Sequence, residues 1–272
     1  MFDGSKEYSI RRPHAAFAAG AVIGTLGGLI GLGGAEFRLP VLITIFALYP
    51  HRAVRFNLLV SLVTLTFAAV TRVNLETGLQ LSGTWDVVAG MIVGGVVSAW
   101  IGAGLLTQIP KHTLMTIIAA LLAVVGAMLI GEAAYGSSAM IALPQDPVAR
   151  IPVAVVSGVV VGAVSSLLGV AGGEFIIPLL IFVFGLDIKT AGTLSLLISI
   201  PIVAIGVAKH LSTGHYRSKN VLVQLVLPMS AGTVLGAVSG GLLSTVAPVS
   251  GVKLTLGLIL AASAIKLAHR NG

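Results

Sequence analysis

Two carboxylates stand in apolar surroundings. Glu36 lies in GLGGAEFRLPVL, residues 31–42, and Glu174 in GVAGGEFIIPLL, residues 169–180. A carboxylate in such a setting can take up and release a proton, or it can satisfy free amides at a helix start. Around the two acids lie Gly31, Gly33, Gly34 and Ala35, and in the second copy Gly169, Ala171, Gly172 and Gly173. Backbone without bulky side chains lets a ligand come close. The N–H groups that open the following helix favour an anion. Downstream, Asn57 and Ser61 in one copy and Ser195 and Ser199 in the other are four residues apart, so each pair shares one helix face. They can donate to anion oxygens, or bond a backbone carbonyl or a neighbouring helix. Thr64 extends the first face and reads as structural. Pro40 and Pro178 are the candidate hinges.

This is binding chemistry, with a proton as the candidate coupling ion. No Ser has a nearby base, no His, Asp or Glu cluster has metal-ligand spacing, and there is no Cys. We therefore expect no enzyme, no metal and no cofactor. Arg38 could bind an anion, but Ile176 replaces it in the second copy, which favours pairing with a carboxylate or snorkelling. His51, Arg52, Arg55, His210 and His215 read as loop charges, and Tyr49 and Trp85 as interfacial anchors. The run GTLGGLIGLGG mimics a dinucleotide fingerprint, but no strand precedes it.

The two copies are offset by 138, and Gly31/Gly169, Gly34/Gly172, Glu36/Glu174, Phe37/Phe175, Pro40/Pro178 and Leu42/Leu180 are identical. Asn57–Ser61 aligns with Ser195–Ser199 at the same offset. Gly95 and Gly104 match Gly232 and Gly241 only at 137, which implies one lost residue. The chain therefore divides into a cytoplasmic tail (1–14), a first repeat (15–131), a linker (132–150) and a second repeat (151–268).

Of the 272 residues 56% are hydrophobic and only 9% charged, with mean hydropathy +1.05. A soluble domain carries roughly 25% charged residues. The composition therefore defines an integral membrane protein in a lipid bilayer, and the long continuous apolar runs mark helices rather than a barrel. The net charge of +7 sits in short loops and tails, where positive-inside bias accounts for it without nucleic acid.

The expected elements per half are one long helix, a glycine break, a short helix and three long helices. The short helices are expected over 36–48 and 174–184. Neither is long enough to cross about 30 Å of hydrocarbon. The expected fold is all-α, about eight long transmembrane helices plus two short ones. Five segments per half imply inverted repeats if every segment crosses; re-entrant short helices are the alternative. Glycines at four-residue spacing, such as Gly20, Gly24 and Gly28, allow close helix packing within one chain or between chains, so a monomer and a homodimer both stay open.

GLIGLGGAEFRLPVL and SLLGVAGGEFIIPLL, in a duplicated chain of this length, resemble the sulfite exporter TauE/SafE family of anion permeases. The resemblance runs from about Ala15 to Ala268. The family's common form has a longer glycine run before the proline; here Ala35-Glu36 and Glu174 stand within or beside it. The resemblance implies a secondary carrier of small sulfur-containing anions such as sulfite, thiosulfate or organosulfonates, in the cytoplasmic membrane with both termini inside. An anion channel of the same architecture and a non-transporting membrane scaffold are the alternatives.

Overall fold

The computed structural model describes residues 13–30, 34–75, 83–135, 146–186, 188–214, 216, 219–243 and 249–269. Among them every regular element is helical, and no strand occurs. The first half holds α1 (Pro13–Ile30), α2 (Ala35–Thr44), α3 (Pro50–Leu75), α4 (Trp85–Leu105) and α5 (Lys111–Tyr135). The second holds α6 (Pro147–Leu168), α7 (Gly173–Phe182), α8 (Ile188–Ser212), α9 (Lys219–Val221), α10 (Leu227–Leu243) and α11 (Val249–His269). A π turn, Leu222–Val226, joins α9 to α10. Pro228 explains it: it has no N–H for the carbonyl of Gln224, and the ladder loosens one turn earlier, where the Leu227 N–H reaches the Leu222 carbonyl. Six helices among the described residues are long and apolar enough to cross a membrane.

Both short helices are present, with 10 residues each. They end sooner than the sequence suggests, at Thr44 and Phe182. Each opens on a left-handed glycine, Gly34 at φ 68° and Gly172 at φ 80°. That conformation is cheap only for glycine, and it turns the chain back on itself. Gly34 lies against Ile23 of α1, and Gly172 against Val161 of α6. Both contacts fall about two turns short of the long helix's end. In both halves the break thus carries the chain back along the long helix before the short helix begins. Pro40 and Pro178 each withhold the N–H that would bond the carbonyl of Glu36 or Glu174, four residues before.

The glycine faces close inside the chain. A side chain built on Gly20, Gly24 or Gly28 of α1 would strike the backbone of Met229, Thr233 or Ala237 on α10. On α6, Gly158 and Gly162 meet Met91 and Gly95 of α4 in the same way, and Gly94 meets Val155 as Gly232 meets Phe17. Gly20–Met229, Gly24–Thr233 and Gly232–Phe17 map onto Gly158–Met91, Gly162–Gly95 and Gly94–Val155 at a constant 138. This corrects the lost residue inferred from sequence: the structural equivalents are Gly94 and Gly232, and the register never slips. Counting adjacent glycines of a Gly-Gly pair misled that alignment. Each half thus lays its first helix on a helix of the other half.

The equivalent helices also meet. Leu58 of α3 sits against Gly206 of α8. On α5 and α11, Gly126 lies beside Gly257 and Ala261, and Gly257 beside Ile130. Asp86 and Arg150, at the starts of α4 and α6, approach to 3.8 Å.

Candidate functional site

The two glycine breaks meet at α3. Asn57, two turns into that helix and fully buried, donates one amide hydrogen to the carbonyl of Ala35 at 2.8 Å and the other to the carbonyl of Gly169 at 2.8 Å. The first carbonyl opens α2; the second belongs to the break after α6. The amide oxygen of Asn57 accepts from Arg38 Nε at 3.0 Å. Every polar atom of this side chain is thus engaged by protein. Its place on the expected polar face is as read from the sequence, and its partners are the two breaks.

Arg38 is the residue whose position the sequence reading missed. It does not snorkel. Its side chain is fully buried and lies along α3, where Nη2 donates to Ser61 Oγ at 2.7 Å and Nη1 to Thr64 Oγ1 at 3.4 Å. Thr64 also bonds the carbonyl of Val60. The spacing of Asn57, Ser61 and Thr64 carried this information: a polar stripe on an apolar helix needs something polar to face. The only long polar side chain in α2 besides Glu36 is Arg38.

The second half builds the same corner without the charge. Ile176 takes the place of Arg38 and is equally buried, and Ile202 takes that of Thr64. Ser195 donates to the carbonyl of Gly192 on its own helix at 2.8 Å. Ser199, the counterpart of Ser61, is buried with no hydrogen-bond partner. Ser165, one turn before the second break, is buried and unpartnered too, although its carbonyl holds the N–H of Gly169 at 2.8 Å.

Glu36 lies in the first turn of α2 with 1% of its surface exposed, and neither carboxylate oxygen has a hydrogen-bond partner. It therefore does not cap α2, whose N-cap glycine has no side chain to do so. Gly31 and Gly33 lie outside the described residues, and so does the side chain of Glu174. Ala171, Gly172 and Gly173 are all buried at the second break, as Gly34 and Ala35 are at the first. Among the described residues no group of His, Asp or Glu could hold a metal ion.

One end of the bundle is basic. His51 and Arg55 fall within α3 rather than in a loop, because Pro50 starts the helix earlier than the charges suggest. His51 Nε2 lies 2.8 Å from the carbonyl of Ile109, and Lys111 stands over the ring of Tyr49. His210 is buried in the last turn of α8, its ring edge-on to Tyr216. Tyr216 donates to the carbonyl of Arg55 at 2.9 Å. Burial raises the Tyr216 pKa well above its ordinary value, and the nearby Arg55 charge opposes that shift. Lys209 lies over Trp100 at the end of α4. The charge at this end comes from the starts of α3, α5 and α9 and the end of α8. His215 lies outside the described residues.

The model of the Sulfite exporter TauE/SafE family matches residues 16–267, so the chain belongs to that family of membrane transporters. Among curated proteins it is similar to the Probable membrane transporter protein YdhB of Bacillus subtilis (strain 168), 26% identical over 250 residues, covering 88% of this chain and 96% of that one. No solved structure matches.

Proposed function

We propose that this chain is a secondary transporter of small sulfur-containing anions, sulfite, thiosulfate or organosulfonates among them, with its site at the paired breaks. Family membership implies a small anionic substrate. The observation that supports this placement is the pair of hydrogen bonds that Asn57 donates to the carbonyls of Ala35 and Gly169, which fastens the two breaks together beside a buried guanidinium. Broken helices at membrane depth are tolerated where protein buries them or where they line a cavity, and corresponding breaks in two repeats point to a transport site. The helix starts at Ala35 and Gly173 each add free N–H groups and a positive dipole end.

The halves form inverted repeats. Equivalent helices meet antiparallel: Leu58 touches Gly206, and Tyr216, just past the end of α8, bonds Arg55 near the start of α3. Such halves exchange access by moving against one another, with Pro40 and Pro178 as hinges. We read each half as three full crossings, α3 to α5 and α8 to α11, with α1–α2 and α6–α7 re-entrant; among the described residues α6 alone of those four is also long and apolar enough to cross. The basic end faces the cytoplasm by positive-inside bias, which puts both termini inside the cytoplasmic membrane. The glycine faces are spent within the chain, so nothing in them calls for a second copy.

Flux into proteoliposomes tests the reading, with sulfite, thiosulfate, sulfoacetate, sulfate and chloride as substrates. Saturable transport of one sulfur anion is the expected result. Flux of chloride alone, at channel-like rates, would set the sulfur-anion carrier aside.

A further inference from the structure

The second half repeats the corner around Asn57 with smaller groups. Ser195 stands in the place of Asn57, Ile176 in that of Arg38 and Gly173 in that of Ala35. The first corner is filled: Asn57 reaches the Ala35 carbonyl, Arg38 runs along α3 to Ser61 and Thr64, and Ala35 is fully buried. The second corner lacks the carboxamide, the guanidinium and the methyl. Neither isoleucine makes up the loss. The Cδ1 tip of Ile176 turns back to the break, 3.8 Å from the place of a Cβ on Gly172, and the tip of Ile202, which replaces Thr64, lies against Gly95 of α4. Gly173 shows the result. It is buried, yet beyond its own turn of chain no atom lies within 4 Å of the place its Cβ would take. Interiors are packed to crystal-like density, and the helix-face glycines Gly158 and Gly162 just before this break lie hard against backbone. Open space at Gly173 is the exception.

The groups around this space are polar and unengaged. Gly173 opens α7, a helix of 10 residues, and its N–H has no acceptor among the described residues. The positive end of the helix dipole lies there too. A helix start alone is commonplace; Ser199 sets this one apart. Ser199 is on α8, which packs on α7, at the register of Ser61, whose Oγ turns to the short helix and meets Arg38 at 2.7 Å. Only 1% of Ser199 is exposed, and its hydroxyl has no hydrogen-bond partner. A buried hydroxyl left so costs free energy that a ligand oxygen would restore. Ser195, level with Gly173 as Asn57 is with Ala35, already donates to the Gly192 carbonyl. Ser199 lies one turn further on, about 5 Å along the helix.

From this we infer that the anion site belongs to the second break alone: the anion sits in the open space at Gly173, accepts from the N–H groups that start α7, and accepts from the Ser199 hydroxyl one turn along α8. Neutral donors at a helix start suffice to hold an anion. The ligand class is a compact inorganic sulfur oxyanion. Sulfite, one central atom bearing three others, has the size of the guanidinium that this half lacks, and its oxygens reach Gly173 and Ser199 from one central position. Sulfoacetate carries an added arm and a second charge, for which the corner offers neither room nor donors. The inference rests on the transport reading above and narrows it to one half and one size of anion.

The test pairs transport kinetics in proteoliposomes with anion-induced thermal stabilisation of the purified protein in detergent. Sulfite, thiosulfate, sulfoacetate and chloride serve as probes. Sulfite should stabilise the wild type, and sulfoacetate far less. Gly173→Ala supplies the methyl that Ala35 carries in the first half. It should fold like wild type, because the space accepts a Cβ, and raise the sulfite KM on the order of tenfold or more, the size expected for one carbon too many in a fitted site. Ser199→Ala should leave the melting temperature without anion unchanged and raise KM on the order of tenfold, as for a lost hydrogen bond to a charged group. Thr66→Ala, whose exposed hydroxyl bonds the Leu62 carbonyl, is the control and should match wild type. If Gly173→Ala does not fold, Ser199→Ala decides alone. Wild-type KM and sulfite stabilisation in both variants would overturn the inference while transport itself stood. Sulfoacetate that stabilises as strongly as sulfite would overturn the ligand class. If wild type moves no sulfur anion but sulfite stabilises it, and both variants abolish that effect, the site survives and the transport reading falls. Neither flux nor stabilisation with any probe would overturn both.

Discussion

Asn57 donates to the carbonyl of Gly169 across 112 residues of chain, at 2.8 Å, while its other amide hydrogen holds Ala35. This one side chain joins the break of its own half to the break of the other. Removing it would leave two buried carbonyls and the Arg38 Nε without this partner. We expect Asn57→Ala to cost on the order of 3 kcal/mol, since each orphaned buried polar group costs about 1–3 kcal/mol. Asn57→Asp keeps an acceptor for Arg38 but sets a carboxylate against two carbonyl oxygens, so the difference between the two variants isolates the tie between the breaks. Thermal unfolding in detergent measures both. A melting temperature unchanged in Asn57→Ala would mean that the tie contributes nothing to stability.

The glycines of the second break separate conformation from packing. Gly172 has φ 80°, and a Cβ there would stand 2.9 Å from Val161 Cγ1. Gly169 has φ 69°, and a Cβ there would strike the Val54 backbone. For Gly173 nothing lies within 4 Å. Alanine in a left-handed conformation costs about 1–2 kcal/mol before any clash. Gly172→Ala and Gly169→Ala should therefore lower yield and melting temperature, whereas Gly173→Ala should fold like wild type. A flux defect in Gly173→Ala would then report on the site itself. Unfolding of Gly173→Ala with Gly172→Ala intact would contradict the backbone geometry.

The short helices and the pairing of halves differ in how far the sequence reveals them. Both short helices, their glycine starts and their prolines are legible because helix-breaking residues recur at one offset. The direction each short helix takes is not, since a glycine in the left-handed region and one in the right-handed region carry the same letter. The constant register of 138 was obscured by Gly94-Gly95, where neighbouring glycines both fit an alignment and only the contact with Val155 selects one. Arg38 was hidden for a different reason. Its counterpart Ile176 made it look like an accident of one half, and a buried polar stripe on α3 does not say which side chain will fill it. His51 and Arg55 look like loop charges in the sequence because charge is expensive at membrane depth, yet Pro50 starts α3 ahead of them.

Tyr216 connects stability to pH at the basic end. Burial favours its neutral form, so its folded pKa lies above that of the unfolded chain. The folded state thus holds this proton more tightly, and the stabilisation is complete below the unfolded value of about 10. It is lost as pH rises from there through the raised folded value. Tyr216→Phe removes the bond to the Arg55 carbonyl, about 1 kcal/mol, and with it this alkaline loss. We expect the variant to be less stable than wild type at pH 7 and to fall less steeply above pH 10. Melting curves across that range decide; parallel curves would show that Tyr216 ionises as freely in the folded protein as outside it.

Glu36 offers the sharpest test of coupling. It is buried in the first turn of α2, its two oxygens accept nothing, and Arg38 two residues on points its guanidinium at α3 instead. Charged or titratable groups on the other elements packed against α2 are few: α1 has His14 in its first turn, α3 has His51, Arg52, Arg55 and Arg72, and α11 has Lys253, Lys266 and His269. A carboxylate so placed is suited to carry a proton across with the anion, and Glu174 stands at the equivalent place in the other half. Glu36→Gln keeps the shape and removes the proton exchange. We expect it to insert and bind anion, and to transport with a flattened pH dependence and without the accompanying proton movement, read by a pH-sensitive dye inside the vesicles. Glu174→Gln, measured beside it, assigns the role to one half or to both. If both variants keep wild-type pH dependence and proton movement, neither carboxylate couples transport, and Glu36 is then an unpaired acid that the break tolerates without using.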